Sequence, residues 1–255
     1  HNPMFRSKFS EDIFNNKYQH QSCETWAALC KVLVEDVCQD MMTKDEKDQI
    51  IQYMIEMKFI PGGRYLYYAG RPNKFFNNCY LLKSESDTRE DWANLSWKAE
   101  SCLMTGGGIG NDYSIYRAEG EVLGSTGGLA SGPIPKMEMI NEVGRHVMQG
   151  GSRRSAIYAS LNWQHPDSNK FLYAKDWYHM PVGNTGLSMG DLKEQDFNFR
   201  APLDMTNISL NYDTEWLLNY YKTGDTGDTF KANVKQALST AEPGFSFNFF
   251  DKEKE

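Results

Sequence analysis

The chain has 255 residues, 40% of them apolar and 24% charged, the balance of a globular protein able to bury a large core. Its formal net charge of -7 and its scattered Lys and Arg exclude a nucleic acid as the main partner, because such binders carry a basic field. A small anionic ligand needs only local donors and stays open.

No stretch approaches the ~20 apolar residues of a membrane span, and the opening HNPMFRSKFSEDIF has no apolar core segment. Neither a membrane nor a secretory leader is expected. The cysteines Cys23, Cys30, Cys38, Cys79 and Cys102 form an odd set without CxxC or Cys/His spacing. That pattern predicts neither a disulfide framework nor a zinc site, and reads as reduced thiols in the cytoplasm.

Residues 8–57 read as helical. Glu24 to Asp40 places Trp26, Leu29, Leu33, Val34 and Val37 on one apolar face. Thr43 followed by Glu46 resembles a capping box opening a second helix, with Ile50, Ile51, Met54 and Ile55 as its buried side. Pro61-Gly62-Gly63 is expected to stop it. Beyond residue 76 the character changes, with a boundary expected between 1–76 and 77–255. Strands are predicted at Cys79–Leu82, Gly110–Tyr116, Ser155–Leu161, Thr185–Met189 and Phe245–Phe250. Helices are predicted between and beside them at Arg89–Met104, Ile134–Met148, Ser168–Ala174, Thr214–Tyr221 and Phe230–Leu238. Alternation of this kind implies an α/β fold with a parallel sheet. The last strand runs straight into Asp251–Glu255, which leaves a sheet edge expected to need cover.

Three glycine-rich segments could serve an anion. Thr105–Gly110 (TGGGIG) precedes a strand, so it is neither a Walker A loop nor a dinucleotide fingerprint, and a structural turn and a nucleotide turn both stay open. Arg117 follows the next predicted strand, and Gly120–Gly132 reads as a mobile loop of the sort that carries binding function. Gly150-Gly151-Ser152-Arg153-Arg154 adds two cations, solvated or phosphate-binding.

Taken together, Pro61–Gly70 (PGGRYLYYAG), Asn78–Leu82 (NCYLL) and Gly106–Gly110 resemble ribonucleotide reductase large subunits in identity, order and separation. So do Gln149–Arg154 (QGGSRR), Ala159–Pro166 (ASLNWQHP) and Ala241–Gly244 (AEPG). The opening NPMFRSKFSEDIFNNKY and Ala201–Ser209 are more similar to the adenosylcobalamin-dependent class than to the class with a separate metal-radical small subunit. Met104 stands where radical-subunit-dependent members often carry a lysine, and Ser155 where relatives commonly have glycine.

The resemblance implies a fold and a set of roles. The fold would be a helical N-terminal region plus the first five-stranded half of the family's ten-stranded α/β barrel. No ATP-cone is expected before the helical region. The chain is expected to end short of the loop carrying the thiyl-forming cysteine, since no Asn-x-Cys-x-Glu pattern occurs. Cys79 matches a redox cysteine facing the substrate ribose. Asn78, Gly63 and Gly108 match positions lining the ribonucleotide pocket. Asp87 matches a carboxylate that binds the ribose of a deoxynucleotide or ATP effector, and Arg117 an arginine on its phosphates. Ser239 and Glu242 fall in the stretch matching the loop that passes effector identity to the substrate base. The implied partners are a complementary C-terminal half, a thioredoxin-like reductant and a second copy of the chain. Alone, the piece would be inactive. Two alternatives stand beside this: a non-catalytic nucleotide-binding regulatory fragment, and the same region of a reductase using a separate radical-generating subunit.

Overall fold

The computed structural model describes residues 4–147 and 155–250. Gln149–Arg154, with the Arg153-Arg154 pair, lies outside the described residues, as does Asp251–Glu255. The chain divides into two compact units, His1–Asn78 and Cys79–Glu255. No helix of the described residues is long and apolar enough to cross a membrane.

The first unit is helical. Helix α1 (Lys8–Ile13) runs into a π-helical turn, Phe14–Tyr18, and α2 (Trp26–Cys38) follows. Next come α3 (Lys44–Ile55) and α4 (Gly63–Tyr68). The capping box is present: Thr43 Oγ1 accepts from the Glu46 amide at 3.3 Å, and Glu46 Oε2 accepts from the Thr43 amide at 2.8 Å. Trp26, Leu29, Leu33, Val34, Met54 and Leu66 are buried together, and the Trp26 indole donates to the Met54 carbonyl at 3.1 Å. Pro61-Gly62-Gly63 does not stop α3, which already ends at Ile55 with Glu56 as its C-cap and Met57 at a φ of 60°. Gly62 is instead the N-cap of α4, so the glycine pair opens a helix.

The second unit is a five-stranded sheet in the order β1 (Cys79–Leu82), β2 (Gly108–Asp112), β3 (Ile157–Asn162), β4 (Thr206–Asp213) and β5 (Gly244–Asn248). Every neighbouring pair is parallel. The connections contain α5 (Arg89–Met104), α6 (Pro133–His146), α7 (Ser168–Leu172), α8 (Met189–Gln195), α9 (Thr214–Thr223) and α10 (Asp228–Thr240). Strands in consecutive order, joined by crossovers of one hand, send their covering helices to the same face. Alternate strand residues follow suit. Ile109, Ile157, Leu161, Ile208, Leu210 and Tyr212 are buried with Leu95, Leu103, Met137, Ile140, Phe171 and Trp216 from the helices.

The opposite face carries mostly small or polar side chains, Cys79, Gly108, Gly110, Ser160, Asn207, Ser209 and Asn211, with Leu81 and Tyr158 among them, and the helices of this unit that join the core pack on the other side. Parallel sheets are ordinarily covered on both faces. Here the bare face is kept polar by cross-strand bonds, with Ser160 Oγ donating to Asp112 Oδ2 at 2.8 Å and Asn211 Nδ2 donating to Ser160 Oγ at 3.1 Å.

Two predicted strands are corrected. Thr185–Met189 is no strand: Ser188 makes one antiparallel bridge with Pro181 and then caps α8 in a reciprocal box with Asp191. The fourth strand is Thr206–Asp213, whose Thr206, Ile208, Leu210 and Tyr212 are buried while the residues between them face the other way. The second strand starts at Gly108 and ends at Asp112, not Tyr116, because the chain turns there, the Tyr116 amide donating to Tyr113 O at 3.1 Å, and both tyrosines are buried in the core.

Candidate functional site

All C-terminal strand ends of a parallel sheet open on one edge, and connecting loops there are free to bind. Asp87 lies in the connection from β1 to α5, and Arg117 in the segment after β2. The two loops are tied before they reach the ligand side. Tyr116 donates its hydroxyl to Ser84 Oγ at 2.9 Å, and Asn111 Nδ2 donates to the same oxygen at 3.2 Å. Thr88 caps α5 through the Asp91 amide at 3.2 Å, while Asp91 Oδ2 accepts from the Glu85 amide at 3.0 Å. Burial pushes the Tyr116 phenol up from its usual value, so it stays a neutral donor.

Asp87 and Arg117 meet directly. Arg117 Nε donates to Asp87 Oδ2 at 2.6 Å, its backbone amide donates to the same oxygen at 3.1 Å, and Nη2 donates to the Asp87 carbonyl at 3.3 Å. The hydrogen bond and charge of Asp87 hold the guanidinium above its already high value. Among the described residues nothing donates to Asp87 Oδ1, and Arg117 Nη1 has no acceptor. Both residues line a cleft of about 710 Å³, within the range of nucleotide-sized ligands. Thr88, the Trp92 indole, Ser125 and Gly132 form other parts of its wall.

The glycine-rich segment is a self-paired flap. Val122 bridges Leu129 in antiparallel fashion, Leu123 N donates to Gly128 O at 2.8 Å, and Ala130 N donates to Glu121 O at 2.7 Å. The Thr105–Gly110 turn has a different job. Gly106 takes a left-handed φ of 83° and ends α5, its amide donating to Leu103 O at 2.9 Å. It does not line the cleft.

Cys79 sits at the other end of β1, exposed on the bare face. It pairs with Gly108, where a Cβ would stand 3.5 Å from Cys79 Sγ and 3.2 Å from the Ala156 carbonyl. Cys79, Leu81, Gly108, Tyr158 and Asn207 line a shallow hollow of about 280 Å³. Cys102, the other cysteine of this unit, packs against the core on the helix side. Gly63 and Asn78 belong to the first unit and are exposed; a Cβ on Gly63 would meet Tyr18 Oη at 3.1 Å.

Ser239 and Glu242 are not brought to Asp87 and Arg117. They precede β5, at the N-terminal edge of the sheet, because α10 delivers the chain there. Ser239 is exposed on the last turn of α10. Glu242 is occupied within the protein: Oε2 pairs with Lys175 Nζ at 2.5 Å and Oε1 accepts from the Ile208 amide at 3.0 Å. The sequence reading also passed over Trp92, Ser84 and the flap pairing. Trp92 had a faint signal, an aromatic residue one turn into a helix opening beside Asp87. Ser84 had none.

No group of three or more His, Cys, Asp or Glu side chains that could hold a metal ion occurs among the described residues.

Residues 77–192 match the family model described as ribonucleotide reductase, barrel domain. The vitamin B12-dependent ribonucleoside-diphosphate reductase of Thermoplasma acidophilum is 30% identical over 196 residues, covering 77% of this chain and 25% of that protein. The ribonucleoside-diphosphate reductase large subunit of Arabidopsis thaliana is 29% identical over 133 residues, 51% of this chain and 16% of that protein. Among solved structures, the class Id ribonucleotide reductase alpha subunit of Actinobacillus ureae superposes with a TM-score of 0.71 at 13% identity, over 94% of this chain and 40% of that one, a likeness of fold. The chain thus spans a quarter or less of the length of these curated relatives. With a helical region and a parallel five-stranded sheet matching half of that α/β barrel, the chain is similar to a part of a ribonucleotide reductase large subunit.

Proposed function

We propose that this chain is the nucleotide-binding, regulatory part of a ribonucleoside-diphosphate reductase, and that the cleft at Asp87 and Arg117 takes a deoxynucleoside triphosphate or ATP effector. The observation that carries this is the Asp87–Arg117 pair at the mouth of a cleft of about 710 Å³. Asp87 Oδ1 is placed to accept a ribose hydroxyl, Arg117 Nη1 to donate to phosphate, and the Trp92 ring to flank a base. Ser239 and Glu242 have no part in this cleft. Equilibrium dialysis with labelled dTTP tests the reading: Asp87→Ala and Arg117→Ala should each weaken binding about tenfold or more, and unchanged affinity in both variants rejects it.

A second reading concerns Cys79, favoured by its exposure against Gly108 on the bare face. In the assembled enzyme it would be one of two reducing thiols. The pair gives up two electrons and two protons and closes a disulfide, while the ribonucleotide loses its 2′ hydroxyl as water. The partner thiol must come within about 6 Å between Cα atoms, and Cys102 lies on the wrong face. The second thiol is therefore assigned to the complementary half, which also completes the substrate site around Cys79 and Gly108. A thioredoxin-like protein would restore the thiols. The radical would come from adenosylcobalamin, as the name of the Thermoplasma relative indicates, or from a metal-radical subunit. The complemented enzyme assayed with each source decides between them.

A further inference from the structure

We propose that His165 and Asp167 are positioning residues of the nucleotide cleft, fixing the backbone on both sides of Arg117 so that its guanidinium faces Asp87 and the ligand. The proposal rests on the nucleotide reading of that cleft.

His165-Pro166-Asp167 follows β3 and is nearly inaccessible: His165 and Asp167 are 8% and 7% exposed. His165 Nδ1 accepts from the Asp167 amide at 3.0 Å, so the ring proton is on Nε2, which donates to the Tyr116 carbonyl at 2.6 Å. Asp167 Oδ2 accepts from the Glu119 amide at 3.0 Å. The carbonyl before Arg117 and the amide two residues after it are therefore held by side chains from one buried turn. Between them, the Arg117 amide is held by Asp87 at 3.1 Å. Three consecutive anchors leave the arginine backbone little freedom, and a guanidinium loses less entropy on binding when its stem is already fixed.

Asp167 also closes the base of the flap. Gly132, where the flap ends and α6 begins, has a φ of 81°. A Cβ there would collide with Asp167 Oδ2 and lie 2.9 Å from the Glu119 amide. Gly120 N meets Ala130 O at 2.9 Å just inside. One carboxylate thus touches the entry and the exit of the loop that walls the cleft. Burying a carboxylate is a costly way to tie down a surface loop, and that cost is intelligible where the exact path of the loop matters. Neither residue touches the cleft itself.

The test is a double-mutant cycle on the full chain, with labelled dTTP in equilibrium dialysis to millimolar ligand and thermal melting as the folding control. Asp167→Ala should weaken dTTP binding about tenfold with Arg117 present and less than about twofold in an Arg117→Ala background. Asp167→Asn keeps an oxygen for the Glu119 amide and should recover most of the affinity. His165→Gln run through the same cycle should repeat the pattern, and it carries the test with Asp167→Asn if Asp167→Ala does not fold. An equal loss in both backgrounds, or an Asp167→Asn as weak as Asp167→Ala, would overturn the positioning role. If Arg117→Ala itself leaves dTTP affinity unchanged, the nucleotide reading beneath it fails instead.

Discussion

The Asp87 carboxylate and the Arg117 guanidinium, 30 residues apart in the chain, close on each other at 2.6 Å between loops that leave the same edge of the sheet. Each holds the other in place, and both line the cleft. An arginine that would otherwise sweep through solvent is pre-oriented before a ligand arrives, and the carboxylate beside it is neutralised enough to sit near phosphate.

Breaking the pair should therefore cost binding and little stability. The side chains are 35% and 27% exposed, and ion pairs at such positions contribute about 1 kcal/mol or less. Asp87→Asn should melt within a few degrees of the parent while its affinity for dTTP falls several-fold, with both read from the same preparation. A large drop in melting temperature with intact affinity would assign the pair to folding alone.

Thiol reactivity should single out Cys79 within the second unit. It is exposed, whereas Cys102 is half-buried and its thiol is pushed up by burial. In the first unit Cys30 is buried and pushed up to about 12. Limited alkylation with iodoacetamide near pH 8, followed by peptide mass analysis, should modify Cys79 before Cys102 and Cys30. Faster labelling of Cys102 would contradict the placement of the two thiols on opposite faces.

Glu242 should prove to be a stability residue. Its ion pair with Lys175 is largely shielded, the two side chains being 23% and 8% exposed, and Lys175 also donates to the Thr206 carbonyl at 2.6 Å. Glu242→Ala strands that ammonium and should lower unfolding free energy by roughly 3 kcal/mol, measured by urea titration. Lys175→Met with Glu242→Leu should lose less than Glu242→Ala alone, because no charge is left unpaired. Binding of dTTP at the Asp87 cleft should be unaffected in any variant that folds.

Acid should unfold the protein partly through Asp204. Burial opposes ionisation of this carboxyl, but the hydrogen bonds of Arg145 at 2.6 Å and Asn141 at 3.0 Å outweigh it and hold the carboxyl below its ordinary value. A depressed folded value means stability is fully present above the unfolded carboxyl range, near about pH 4, and is lost as pH falls through the folded value. Asp204→Asn should lower the melting temperature at neutral pH and flatten its fall between about pH 4 and pH 2. An unchanged acid limb would remove Asp204 from that role.

How much of this was legible beforehand differs by element. The Thr43–Glu46 box and the apolar stripe of α2 are local patterns, and the helices form where those patterns lie. The fourth strand was also written in the chain, as Thr206, Ile208, Leu210 and Tyr212 alternating with polar residues. The polar half of that alternation hides it from a search for buried parallel strands, since a strand of a parallel sheet is expected to be apolar throughout. The polar residues are explained only by the bare face, a property of the assembled sheet.

The sequence by itself determined the helical first unit and the parallel character of the second, because caps and periodicity act over a few residues, while Asp87, Arg117 and Cys79 became candidates through the resemblance of whole motifs in order. Tertiary structure alone decided that Asp87 and Arg117 face one cleft while Glu242 is spent on Lys175 at the opposite edge. It also decided that Cys79 is exposed on the bare face, and that His165 and Asp167 bracket Arg117 through bonds spanning 49 and 48 residues to Tyr116 and Glu119. Those relationships depend on strand order and register, which bring distant loops to a common edge, and no local pattern encodes which end of a strand a loop will share.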